Sequence, residues 1–134
     1  MIGGIIVSHG KLAEELLNAL TIILGEIVNI EAISIGWYDD VEESKRKINQ
    51  SLKRVDQKNG VLIFTDMFGG TPSNLSFSFL RDNTIEIITG VNLPMLIKFV
   101  SLQRSNNLRD VAKRVVEQGK KNIHLASALL SSKH

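Results

Sequence analysis

The sequence predicts an α/β domain: a doubly wound, mostly parallel sheet of about five strands with helices on both faces. Three observations point that way. Short apolar runs recur at Ile2 to Val7, Ile30 to Ile35, Gly60 to Thr65 and Thr84 to Thr89. The longer stretches between them carry apolar residues at helical spacing. No repeat, low-complexity segment or linker interrupts the alternation. Strands separated by helices pair in parallel, because each crossover returns the chain to the same end of the sheet. The 134 residues fit one domain, 1–134. A chain of this size buries about two-thirds of the surface its unfolded form exposes.

Each element has its own signal. Ile2 to Val7 is nearly continuous in apolar residues, as expected of a strand covered on both faces. The first helix follows, with Leu12, Leu16, Leu17, Leu20, Ile23 and Leu24 as one stripe and Gly25 as its stop. After the second strand, Asp39 or Asp40 caps a helix whose Val41, Ile48, Leu52 and Val55 face inward. Glu42 and Glu43 in its first turn and Lys53 and Arg54 near its end suit the helix dipole. The third strand, "GVLIFT", leads to Thr71-Pro72, expected as a cap and a first helical residue.

"TIEIIT" is the fourth strand, and "GVNLPML" opens a further helix with Pro94 in its first turn. Leu108, Val111, Ala112, Val115 and Val116 mark a last helix, with Gly119 expected to end it. "NIHLA", Asn122 to Ala126, reads as a weaker final strand carrying His124. His134 is expected to be a solvated tail residue.

Composition removes several function classes. Sixteen Lys and Arg against fourteen Asp and Glu give a net charge of +2, too balanced for the concentrated basic face of a nucleic-acid binder. The chain has no cysteine, so disulfides, thiol catalysis and zinc–thiolate sites are excluded. Three histidines without shared spacing do not predict a metal site. "MIGGIIVSHG" lacks a basic leader, and no apolar run reaches the roughly 20 residues that span a bilayer. The expectation is a cytoplasmic protein.

In an open α/β sheet, ligands bind beyond the carboxyl ends of the strands, where the strand order reverses. With the first strand between the second and third, that crevice receives Ser8-His9-Gly10 from strand one and Thr65-Asp66, then Gly69-Gly70, from strand three. A carboxylate accepting the Nδ1 proton fixes the imidazole tautomer and leaves Nε2 as a bare nucleophile. His9 and Asp66 are therefore the candidate catalytic pair. Gly10, Gly69, Gly70 and Thr71 are candidates for holding an anion through backbone N–H groups and a hydroxyl, with no metal or cofactor.

"IIVSHG", "TDMFGGTPSN" and "GVNLPML", in this order and spacing, closely resemble the IIA component of the mannose/fructose-type sugar phosphotransferase system, and the likeness covers essentially the whole chain. The resemblance implies that His9 takes a phosphoryl group from the phosphocarrier HPr and passes it to the IIB component. Asp66 would orient His9, and Thr71 would stand near the phosphoryl group. It also implies a homodimer whose last strand, Asn122 to Ala126 here, is antiparallel and exchanged between subunits. The membrane components IIC and IID would be indirect partners, and the IIB component a separate chain or a removed domain. Trp37-Tyr38-Asp39 carries nothing over from the family.

Other readings compete. A phosphohistidine mutase or phosphatase would need cationic clamps, yet the strand-end loops contain no arginine and Lys11 is the only cation nearby. A regulatory docking module could use the same fold, switched by phosphate charge. The phosphocarriers of dihydroxyacetone kinases share the general fold but are set aside on the "GGTPSN" and "GVNLPML" motifs. Of the phenylalanines, Phe68 alone is expected at the rim of a docking face.

Overall fold

The structure is a computed structural model that describes residues 1–131; His134 lies outside the described residues. The elements run β1 (Gly3–His9), α1 (Leu12–Leu24), β2 (Ile30–Ile35), α2 (Val41–Val55), β3 (Val61–Thr65), α3 (Thr71–Phe77), β4 (Ile85–Thr89), α4 (Leu93–Leu102), α5 (Leu108–Lys121) and α6 (Ala126–Ser131). The four strands pair in the order β2-β1-β3-β4. All three pairings are parallel, with Val7 opposite Ile33 and Thr65 and Phe64 opposite Ile88.

Alternation along each strand feeds two cores. Ile6, Leu62, Phe64 and Ile88 point to one face, where Leu20 of α1, Leu96 and Phe99 of α4, and Val111 and Val115 of α5 cover them. Ile5, Val7, Ile33, Ile35 and Ile63 point to the other, against Ile48, Leu52 and Val55 of α2 and Leu75 of α3. Phe64 and Phe99 meet edge to face at 5.2 Å between ring centroids. Fully burying each such side chain contributes about 1.5–3 kcal/mol, so both helical layers are firmly seated. This is the doubly wound arrangement, with its switch point between β1 and β3.

Several local expectations are corrected. Leu12, Ile23 and Leu24 are exposed, and α1 instead buries Ala13 and Leu20 with Leu16 and Leu17 half-buried. Within the single chain α1 packs on β1, β2 and α4, so only the side chains turned toward those elements are covered. Val41 is likewise exposed at the start of α2. Gly119 does not end α5, which continues to Lys121. A Cβ there would come within 2.8 Å of Met95 Cε, so the glycine lets α4 and α5 approach closely.

The fifth strand is not formed. Residues 122–125 are irregular, and α6 begins at Ala126. A strand exists only by pairing with an edge, and within one chain this segment pairs with none. Its alternating side chains remain uncovered: Ile123 and Leu125 are 74% and 73% exposed. His124 is exposed as well. No helix among the described residues is long and apolar enough to cross a membrane.

Candidate functional site

The carboxyl ends of β1 and β3 deliver His9 and Asp66 to one rim, from positions 57 residues apart. Ser8 prepares the first of these ends. Its hydroxyl accepts the Ala13 N–H at 2.6 Å, satisfying an orphan donor of α1 and fixing where the strand becomes a helix. Gly10 makes the turn with φ of +54°, and its N–H donates to the Ile35 carbonyl at 2.9 Å, tying the turn to β2. That amide is occupied within the chain, contrary to the expectation that Gly10 would offer it to an anion.

One carboxylate oxygen organises the pair. Asp66 Oδ2 accepts the His9 backbone N–H at 2.9 Å and lies 2.7 Å from His9 Nδ1. The other oxygen, Oδ1, accepts the Met67 N–H at 3.0 Å. Held on both sides, the carboxylate selects the tautomer with its proton on Nδ1, and Nε2 keeps a lone pair. The Asp66 side chain is 10% exposed, whereas that of His9 is 46% exposed, so the orienting group is covered and the ring open. Burial is the largest single influence on the Asp66 carboxyl and pushes its pKa up. The His9 amide, the hydrogen bond and charge of the His9 ring, and the carboxylate's local backbone hydrogen bond together outweigh it and hold the pKa below the ordinary aspartate value.

The loop from Met67 to Gly70 is braced from beneath by two hydroxyls absent from the sequence reading. Thr65 Oγ1 and Ser73 Oγ, both fully buried, lie 2.7 Å apart. Ser73 donates its proton to the Met67 carbonyl, so the Thr65 hydroxyl must donate to Ser73. A polar residue ending an otherwise apolar strand, with a serine just inside the next helix, was the available signal.

Gly70 then lies directly against the imidazole. A Cβ on it would stand 3.0 Å from His9 Cε1 and 3.1 Å from Nε2, and its φ of +83° is itself a glycine conformation. The backbone can thus reach the nitrogen left bare by Asp66. The N–H groups of Gly69, Gly70 and Thr71 make no hydrogen bond to the described residues. Thr71 is the first helical residue of α3 rather than its cap; Gly70 occupies the cap position, and no side chain caps this helix. Thr71 is exposed and lines the crevice. Asn92, by contrast, caps α4 by accepting the Met95 N–H at 2.9 Å.

A crevice of about 490 Å³ opens here, walled by His9, Gly10, Gly36, Gly70 and Thr71, with Trp37 and Asp39 at its lip. Two other grooves run along β2, one larger and one smaller than this crevice, and neither is lined by a histidine. The arrangement supplies one oriented nucleophilic nitrogen, a fixed carboxylate and adjacent unpaired amides, a set suited to receiving a phosphoryl group.

Residues 3–116 match the family described as PTS system fructose IIA component. The PTS system fructose-specific EIIA component of Bacillus subtilis (strain 168) is 30% identical over 95% of this chain and 88% of its own length. The mannose-specific EIIAB component of Escherichia coli (strain K12) is 30% identical over 92% of the chain, which spans only 39% of that longer protein. Among solved structures, the phosphotransferase system component EIIA from Streptococcus agalactiae superposes with a TM-score of 0.86 at 26% identity, covering 96% of this chain and 99% of its own. A mannose/sorbose-specific IIA subunit from Enterococcus faecalis gives 0.82 at 25% identity, over 92% and 93% of the two chains. Fold, strand-end histidine and sequence relationship converge: the chain belongs to the mannose-family IIA components of the sugar phosphotransferase system, a family of phosphocarriers.

Proposed function

We propose that this single domain, 1–134, relays phosphoryl groups in the cytoplasm, accepting them from phospho-HPr on His9 Nε2 and passing them to a IIB component. The observation that carries this reading is the 2.7 Å contact between His9 Nδ1 and Asp66 Oδ2, which leaves Nε2 free beside Gly70. In the transfer, the Nε2 lone pair forms a bond to phosphorus as the donor–phosphorus bond breaks, and that electron pair returns to the donor atom. The ring gains positive charge, which the Asp66 carboxylate stabilises by accepting the hydrogen bond from Nδ1–H, the proton staying on the ring. The amides of Gly69, Gly70 and Thr71 and the Thr71 hydroxyl take the phosphoryl oxygens. Transfer to IIB is the same step in reverse, with the acceptor as nucleophile.

The uncovered segment 122–131 supports a homodimer in which Asn122 to Ala126 pairs as an antiparallel strand with the partner copy. The relay would serve the membrane components IIC and IID indirectly, through IIB.

The test is labelling with phosphoenolpyruvate, HPr and the enzyme that transfers the phosphoenolpyruvate phosphoryl group to HPr. One acid-labile phosphate per chain is expected, and none on His9→Ala. Full labelling of that variant would overturn the assignment.

A further inference from the structure

The Asp66 carboxylate serves His9 in one orientation only, with Oδ2 turned to the ring and Oδ1 to the Met67 N–H. Apolar packing does not set that orientation. Met67 and Phe68, the next two residues, are 54% and 77% exposed, and Gly69 and Gly70 bring no side chain. Phe68 rests on the half-buried Phe77, 6.0 Å between ring centroids. A loop with so little buried surface keeps its shape through hydrogen bonds.

Those bonds lead inward to two hydroxyls. Thr65 sits in the middle of the sheet, between Val7 of β1 and Thr89 of β4, and its carbonyl accepts the Val91 N–H at 3.0 Å. Its Oγ1 donates to Ser73 Oγ at 2.7 Å, and Ser73 donates to the Met67 carbonyl. Met67 in turn gives its N–H to Asp66 Oδ1 at 3.0 Å. A continuous series therefore runs from a fixed strand residue through Ser73 and Met67 to the carboxylate and then to His9. Alanine is the better helix former and carries no polar group to bury, so the fully buried hydroxyl at position 73 is explained by what it holds.

We propose that Ser73, backed by Thr65, is a positioning residue for phosphoryl transfer. It fixes Met67, and through Met67 it fixes the face that Asp66 turns to His9. This rests on the reading of His9 as the phosphoryl acceptor. Both hydroxyls are fully buried and bond to the loop, so their effect on the ring passes through Asp66. Without the Ser73 hydroxyl, Met67 is free to turn and its N–H leaves Oδ1. The carboxylate then rotates, its hold on the Nδ1 proton weakens, and the tautomer that presents Nε2 loses population.

The test compares wild type with Ser73→Ala, Thr65→Val and Thr65→Ser. Thr65→Val keeps the branched shape and removes the hydroxyl; Thr65→Ser keeps the hydroxyl. Two phosphoryl donors are used: phospho-HPr, and phosphoramidate, a molecule too small to need docking. Ser73→Ala is expected to lower the plateau rate from phospho-HPr about tenfold or more with little change in KM, and to slow labelling by phosphoramidate to the same degree. Thr65→Val should slow both donors as well, and Thr65→Ser should stay near wild type. In ¹⁵N NMR of the neutral, unphosphorylated ring, Ser73→Ala should move His9 from one dominant tautomer toward a mixture. A merely structural role would lower the unfolding midpoint and leave the rate per folded molecule and the ring shifts alone.

An unchanged rate or unchanged ring shifts in Ser73→Ala would overturn the proposal, whatever its midpoint. So would Thr65→Ser proving as slow as Thr65→Val, since side-chain shape rather than the hydroxyl would then matter. Should Ser73→Ala not fold, the two Thr65 variants decide by the same readouts. If neither donor labels His9 in wild type, the underlying reading fails and this one with it. Normal labelling of wild type with no change in the variants sinks this one alone.

Discussion

Two regions of this chain differ in how completely they are finished within one molecule. At the strand-end rim, Asp66 uses both carboxylate oxygens, Ser8 accepts the Ala13 N–H of α1, and Thr65 and Ser73 brace the loop that follows. After α5 the opposite holds. Ile123, Leu125 and Leu130 are 74%, 73% and 61% exposed, and α6 buries no residue. The histidine–carboxylate pair is thus held by hydrogen bonds made within the single chain. The C-terminal segment has a pattern that a single chain cannot satisfy, which is the physical basis for proposing an exchanged strand.

The contrast can be broken most forcefully at Asp66. Asp66→Asn keeps the size but loses the second acceptor and offers an N–H where the ring needs a lone pair. Transfer from phospho-HPr is expected to slow by about 10²–10⁴-fold with the fold intact by circular dichroism. An unchanged rate would remove the carboxylate from the mechanism.

Gly70→Ala is the next test. It puts a methyl against His9 Nε2 in a backbone conformation L-residues avoid, so transfer should fall by about 10- to 10²-fold through displacement of the ring or the amides. The strain should also cost about 1–3 kcal/mol in denaturant unfolding. A variant as fast as wild type would show that nothing approaches Nε2 from this side.

Deleting residues 122–134 addresses the other region. If that segment serves only assembly, sedimentation should change from dimer to monomer while labelling by phosphoramidate proceeds as in the full chain. A change in labelling rate would mean that the two regions are not independent.

Smaller effects sharpen the account of the rim. Ser73→Ala strands the buried Thr65 hydroxyl and the Met67 carbonyl and should cost about 1–3 kcal/mol of stability. Asp66 also sets a pH dependence. Its folded pKa is depressed, so the stabilisation it provides is present above the ordinary aspartate pKa and is lost as pH falls through the lower folded value. Denaturant unfolding of wild type should therefore weaken in that acid window more than unfolding of Asp66→Asn; parallel curves would contradict it.

What was legible in the sequence was what local chemistry writes along a chain. Apolar runs gave the four parallel strands, and the strand order followed from doubly wound topology, which put His9 beside Asp66. Glycine at 70 was legible as a close-approach position because few other residues permit it. The Thr65–Ser73 pair was missed because its meaning depends on two buried hydroxyls meeting across eight residues. Gly119 was misread as a stop because a packing glycine and a terminating one look alike until α4 is placed against it. Thr71 was assigned to the cap for a similar reason: Gly70, with positive φ, takes that position from it. The final strand was read from real alternation, but alternation shows which side chains want cover, not which molecule covers them.

By accepting the Nδ1–H hydrogen bond, Asp66 should direct phosphate to the opposite ring nitrogen. Long-range ¹H–¹⁵N NMR of the ¹⁵N-labelled, phosphorylated protein reads the modified nitrogen directly. Phosphorus on Nε2 of His9 with a proton retained on Nδ1 is expected. Phosphorus on Nδ1, or on the ring of His124, would contradict it.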